Sequence, residues 1–194
     1  MFDKTIEDKR NGKILFVSHC VLNQNAKVRG IAQFPASVEP VVQALFENKV
    51  GIYQMPCPEM MFYGAMRWGQ VQAQYDTPMF RKHCEDLAND VLGQVEEYQR
   101  GGYKVLGFVM VDGSPVCGMD KVPLPAVEDQ IWGGMVRYTP EQVCAGGKGV
   151  YCKILQEKAK LQGFDKIPFV AIPEVDEAGP LEAAVKKIED LIKQ

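Results

Sequence analysis

Three short apolar runs in this chain each end in a turn that delivers a cysteine. Residues 14–17 run into Ser18-His19-Cys20, residues 51–55 into Pro56-Cys57-Pro58-Glu59, and residues 105–111 into Asp112-Gly113-Ser114-Pro115-Val116-Cys117-Gly118. Runs of this length, β-branched or aromatic and bounded by Gly, Pro, Ser and Asp, read as buried strands. In a parallel α/β sheet the carboxyl ends of the strands lie side by side, on the edge where such folds place their ligands. The sequence therefore predicts that Cys20, Cys57 and Cys117 meet at that edge, on a metal ion or an iron–sulfur cluster.

The segments between the strands carry helical spacing. Val38, Val41, Val42, Leu45 and Phe46 predict a helix that starts near Pro35-Ala36-Ser37 and ends near Asn48. Asp76-Thr77-Pro78, a capping residue followed by proline in the first turn, predicts a helix over 78–100 that Gly101-Gly102 stops. Further helices are expected over 150–162 and 180–193, with a fourth strand over 168–172. Residues 57–75 read as a wall-forming loop with one helical turn. Residues 119–149, rich in Gly and Pro, read as a lid or binding loop with a short helix near Thr139. Strands alternating with helices give the expected fold: a three-layer α/β/α domain over residues 1–194, Rossmann-like, with a small, mostly parallel sheet and the cysteines at its carboxyl edge.

Net charge is −3, and no Lys/Arg run offers a surface for bulk nucleic-acid or anionic-membrane binding. The amino-terminal residues are charged and lack a signal-peptide core, and no apolar run reaches bilayer length. A cytoplasmic chain is the expectation, and there six cysteines read as core residues, metal ligands or catalytic groups before disulfides.

Free cysteine is commonly a small buried filler, and Cys84 and Cys152, on predicted helices, fit that role. Cys144, in the long loop, is either a fourth ligand or without function. Cys20, Cys57 and Cys117 differ because all three select one topological edge, although no local Cys-x-x-Cys pair supports them. Glu59 follows Cys57 by two residues and is either a proton carrier beside thiolates or a solvated loop residue. Ser114 is either a turn-forming serine or a hydroxyl that orients a substrate, and Asp112 reads as a turn residue. His19 is read as a core or rim histidine, with support of the cysteine ligands as the sharper alternative. His83 is expected at the surface.

These stretches resemble the thiouracil desulfidase family, whose motifs are Cys-Leu-Leu-Gly with an arginine shortly after, Cys-Pro-Glu, and Ser-Pro-Ser-Cys-Gly. Here they stand as Cys20-Val21-Leu22-Asn23 with Arg29, as Cys57-Pro58-Glu59, and as Ser114-Pro115-Val116-Cys117-Gly118, with a weaker echo at Gly149-Val150-Tyr151. The resemblance covers about residues 13–120. Asn23 replaces the motif glycine, Val116 replaces the second serine, and the Tyr-Asp pair usual after the arginine is missing at Gly30-Ile31. The resemblance implies a 4Fe–4S cluster held by Cys20, Cys57 and Cys117, with one open iron that accepts the sulfur of a thiocarbonyl compound. It also implies that Glu59 activates water and that Ser114 positions substrate or water. Met60, Phe62, Trp68, Trp132 and Met135 are candidates to stack on a planar ring. The expected partner is a small thiolated molecule. The alternatives are a non-catalytic iron–sulfur or sulfide-binding protein, a three-cysteine zinc enzyme and, last, a cluster-free thiol switch. Three thiolates would leave zinc electron-rich and a poor activator of water.

Overall fold

The structure, a computed structural model, describes residues 8–123 and 145–193. In chain order its strands are β1 (Lys13–Val17), β2 (Gly51–Gln54), β3 (Lys104–Asp112), β4 (Lys121–Val122), β5 (Ala145–Gly146) and β6 (Phe169–Pro173). Its α-helices are α1 (His19–Leu22), α2 (Glu39–Glu47), α3 (Pro58–Tyr63), α4 (Gln72–Tyr75), α5 (Pro78–Arg100), α6 (Val150–Leu161) and α7 (Leu181–Lys193).

Four strands form an all-parallel sheet in the order β2-β1-β3-β6. Strand β3 carries seven consecutive buried residues because helices cover both of its faces. On one face Phe16, Phe108 and Met110 pack against Phe80, Val91 and Leu155 of α5 and α6. On the other, Leu15, Val109 and Val111 pack against Val41, Leu45 and Ile188 of α2 and α7. The expected three-layer α/β/α architecture is borne out. The β1–β3 register shifts between Ile14 and Leu15, which pair with Val105 and Gly107, so β3 carries one extra residue there. Gly107 is required at this bulge, since a Cβ would stand 2.7 Å from Pro168 O and 2.9 Å from a Leu191 methyl of α7.

The chain leaves β1 for β2 on one side and later crosses to β3 and β6 on the other. The order therefore reverses between β1 and β3, where a crevice opens beyond the carboxyl ends. Among the described residues, no helix is long and apolar enough to cross a membrane.

Three local expectations are corrected. The helix expected from Pro35 begins at Glu39, with Pro40 in its first turn. Residues 36–38 are instead drawn to the loop after β1, where Ala36 O accepts from Gln24 N at 2.7 Å and Val38 N donates to Val21 O at 2.8 Å. Segment 57–75 holds two short helices rather than one turn in a loop; Pro58 opens α3, and Gly64, at φ +80°, ends it. Finally, β4 and β5 pair antiparallel, so the ends of the long 119–149 segment are clasped together. Trp132, Met135, Thr139 and Cys144 lie outside the described residues.

Candidate active site

Each expected cysteine is held at the sheet edge by bonds that its own sequence neighbours make. Ser18 donates through both N and Oγ to Val109 O, at 3.0 and 2.8 Å, which ties the start of α1, and so Cys20, to β3. Cys57 caps α3, its Sγ accepting from Met60 N at 3.4 Å. Ser114 Oγ accepts from Val116 N at 3.3 Å and Cys117 N at 3.0 Å, folding the turn that presents Cys117. Asp112 is the last residue of β3 rather than part of the turn, but its Oδ1 accepts from the backbone of Met119, Asp120 and Lys121 and braces the turn that follows.

The turn is locked from behind by the start of α6. Val150 N donates to Pro115 O, and Tyr151 N and Cys152 N donate to Val116 O. Gly149 N donates to Gly118 O at 2.8 Å. The fit leaves no room for a side chain at either glycine: a Cβ on Gly118 would lie 2.3 Å from Lys121 O, and one on Gly149 would lie 2.4 Å from Val116 O. This interlock is the structural content of the Cys117-Gly118 and Gly149-Val150 sequences.

Cys20, Cys57, Cys117, Glu59 and Ser114 all line one cavity of about 110 Å³. All three cysteines are half-buried. Loss of hydration pushes the Cys20 thiol up to about 12, opposed by the Lys27 ammonium. Burial also raises Cys57, opposed by the Met60 N–H, and raises Cys117 well above an ordinary thiol. The metal-free site thus holds neutral thiols, which a bound metal would ionise.

Two buried ion pairs, neither foreseen in the sequence, organise the walls. Arg67 Nε donates to Glu59 Oε2 at 3.0 Å, with side chains only 6% and 12% exposed, and Tyr75 Oη donates to the same oxygen at 3.1 Å. Arg67 also donates to Gly64 O at 3.1 Å and Ala26 O at 2.7 Å, joining α3 to the loop after β1. Burial raises the Glu59 carboxyl above its ordinary range, and Arg67 opposes the rise. Across the cavity Lys27 Nζ lies 3.2 Å from Glu174 Oε1, both nearly buried. Glu174 stands directly beyond β6, and its N–H donates to Asp112 O at 2.7 Å.

Other expected residues fall elsewhere. Arg29 is exposed, and the arginine on the cavity is Arg67. Neither Met60, Phe62 nor Trp68 lines the cavity; its apolar walls come from Val28, Ile31, Tyr75, Pro115 and Pro123. Phe62 instead packs on Phe80 and His83. His83 is half-buried rather than on the surface, with Nε2 3.2 Å from Pro58 O, and helps seat α3 on α5. His19 is half-buried at the rim and does not line the cavity. Cys84 and Cys152 are core residues, as expected.

Among the described residues, no three His, Cys, Asp or Glu side chains stand close enough to hold one metal ion. Cys20, Cys57 and Cys117 nonetheless line one cavity, with an N–H···S bond to Cys57 and the Lys27 charge acting on Cys20.

No protein-family model matches this chain, and no solved structure matches it. It is 34% identical over 109 residues to the uncharacterized protein MJ0003 of Methanocaldococcus jannaschii, an overlap covering 56% of this chain and 69% of that protein. At that identity and extent, the chain belongs to the same family as the uncharacterized Methanocaldococcus jannaschii protein.

Proposed function

We propose that the chain is an iron–sulfur-dependent desulfidase, which replaces the sulfur of a small thiocarbonyl compound with oxygen from water. The observation that carries this reading is the placement of Cys20, Cys57, Cys117 and the anchored Glu59 carboxylate on one largely apolar cavity. The resemblance of the three cysteine motifs to the thiouracil desulfidases supports it. A single zinc ion requires its ligand atoms within about 2.3 Å of one centre. In a cluster each thiolate meets a different iron, so three cysteines holding one need not converge on a single point.

A cluster held by the three cysteines would supply a Lewis-acidic iron that draws electron density from the C=S carbon. The chain's own groups do the rest. Arg67 and Tyr75 both bond Oε2 of Glu59, which fixes the carboxylate and leaves Oε1 to take a proton from the attacking water. Burial raises the pKa of that carboxyl, suiting it to hold a proton in turnover, and Arg67 opposes the rise. Ser114 accepts two backbone N–H bonds and keeps its hydroxyl proton to donate to substrate or water. Pro115, Val28 and Ile31 make the cavity walls largely apolar. Water adds to carbon, the C–S bond breaks, and hydrosulfide leaves with the oxo product; no external oxidant or reductant is consumed.

The test is iron and acid-labile sulfide per chain after anaerobic purification, compared with Cys117→Ser, followed by sulfide release from thiolated pyrimidines. About four of each per chain, lost in the variant, together with sulfide release, supports the reading. Zinc or no metal in the wild type overturns it, and a loaded protein that releases no sulfide is a non-catalytic cluster protein.

A further inference from the structure

A second cavity, of about 150 Å³, adjoins the site cavity, and Cys20, Lys27, Glu174 and Val175 line both. The Lys27–Glu174 ion pair is therefore the divide between two chambers, its side chains only 5% and 11% exposed. The chambers differ in their access to solvent. Among the described residues, none that lines the site cavity is exposed, whereas the second chamber reaches the exposed Gln33 and Asp176. Val21, Phe34, Val38, Ile172 and Leu181 give that chamber apolar walls. Gln24 braces it, donating through Nε2 to Cys20 O at 2.7 Å and accepting from Gln33 N at 3.2 Å. A water-sized molecule needs about 10–15 Å³ of such space, so the chamber has room for several.

We propose that the second chamber is the passage by which solutes of one heavy atom, water inward and hydrosulfide outward, move between solvent and the site. Hydrosulfide as the cargo rests on the desulfidase reading; the passage rests on the two adjoining cavities. An anion among apolar walls is costly unless a counter-charge accompanies it. Lys27 is the cation both chambers share, and so the group that meets hydrosulfide on its way out. Passage requires the pair to part and close again, and no covalent bond is made or broken.

The experiment labels the iron-free protein with methyl methanethiosulfonate and times the modification of each cysteine by mass spectrometry. Wild type is compared with Gln33→Trp and Asp176→Trp, which crowd the mouth of the chamber. It is also compared with the double variant Lys27→Ala, Glu174→Ala, which shortens the divide and removes both charges. The tryptophan variants should slow Cys20, Cys57 and Cys117 together, by about tenfold. The double variant should speed Cys57 and Cys117 by about tenfold, as when a buried ion pair no longer holds an opening shut. Cys84 and Cys152, in the core, report unfolding and should stay unlabelled; if the double variant exposes them, the tryptophan variants decide. Slowing confined to Cys20, or no slowing, overturns the passage and makes the chamber a side pocket. Unchanged Cys57 labelling in a folded double variant overturns the pair as its divide. In the iron-loaded protein the tryptophan variants should release sulfide later than the oxo product. A loaded wild type that forms no sulfide overturns the desulfidase reading, while labelling of the iron-free protein decides the passage independently.

Discussion

Replacing Arg67 by methionine removes the cation that holds Glu59 and, with it, two bonds to backbone carbonyls. At 3.0 Å and an effective dielectric of about 20, the pair attracts by about 5.5 kcal/mol before desolvation is counted. Both side chains are nearly buried, so dehydration offsets much of that attraction in the intact protein. The variant keeps the offset and loses the attraction: Glu59 stays buried without its cation, and Gly64 O and Ala26 O lose donors. Arg67→Met should therefore cost about 3–5 kcal/mol. Glu59→Leu alone strands the arginine and should cost a similar amount. The double variant, with neither charge, should recover most of the loss and give a coupling energy of about 2–4 kcal/mol. Urea unfolding of the metal-free proteins reads all four corners of the cycle. Additive effects, or an Arg67→Met cost below about 1 kcal/mol, would refute the claim that this pair is a buried, mutually dependent unit. Activity adds a second readout. Arg67 opposes the rise in the Glu59 carboxyl, so its removal moves the acid limb of the pH–rate profile to higher pH.

Other expectations are simpler to check. Serine at Cys20, Cys57 or Cys117 should abolish bound iron, whereas alanine at Cys84 or Cys152 should leave iron content unchanged and cost about 1–2 kcal/mol; iron analysis and unfolding curves separate the two groups. Gly149→Ala should cost at least about 2 kcal/mol although its φ of −64° suits any residue, because the methyl meets Val116 backbone. Unfolding at wild-type urea concentration would show that the interlock gives way. Burial raises Glu59 above its unfolded value of 4.5, so the folded chain binds its proton more tightly. Stability of the metal-free protein should then fall as pH climbs from about 4.5 through the folded value, and Glu59→Gln should lack that decline; a rise with pH over this window would contradict the sign.

The layered fold was legible because its signals are local. Continuous apolar runs marked β1 and β3, Thr77-Pro78 and Gly101 marked the ends of α5, and the cysteines followed the strands. The shift of α2 to Glu39 was not legible, since it depends on residues 36–38 bonding to a loop twelve or more residues earlier. The β4–β5 clasp spans two residues a side and leaves no period to read. At the site, Glu59 was found through its nearness to Cys57. Arg67 and Glu174 were missed because a lone charge in a loop looks solvated until its partner, eight or 147 residues away, is placed beside it. The exposed Arg29 shows the same blindness in reverse.

The interlock between Gly118 and Gly149 orders events during synthesis. All three cysteines have left the ribosome's catalytic centre once residue 117 is joined, yet the turn that presents Cys117 leans on the first N–H groups of α6. The strand that carries it gains its outer neighbour only when β6 arrives. A nascent chain arrested before residue 149 would therefore present Cys117 on a turn that lacks its contacts with α6. On the proposed cluster reading, metal delivery would wait for the last quarter of the chain, whose described segments supply Glu174 but no cysteine to the cavity.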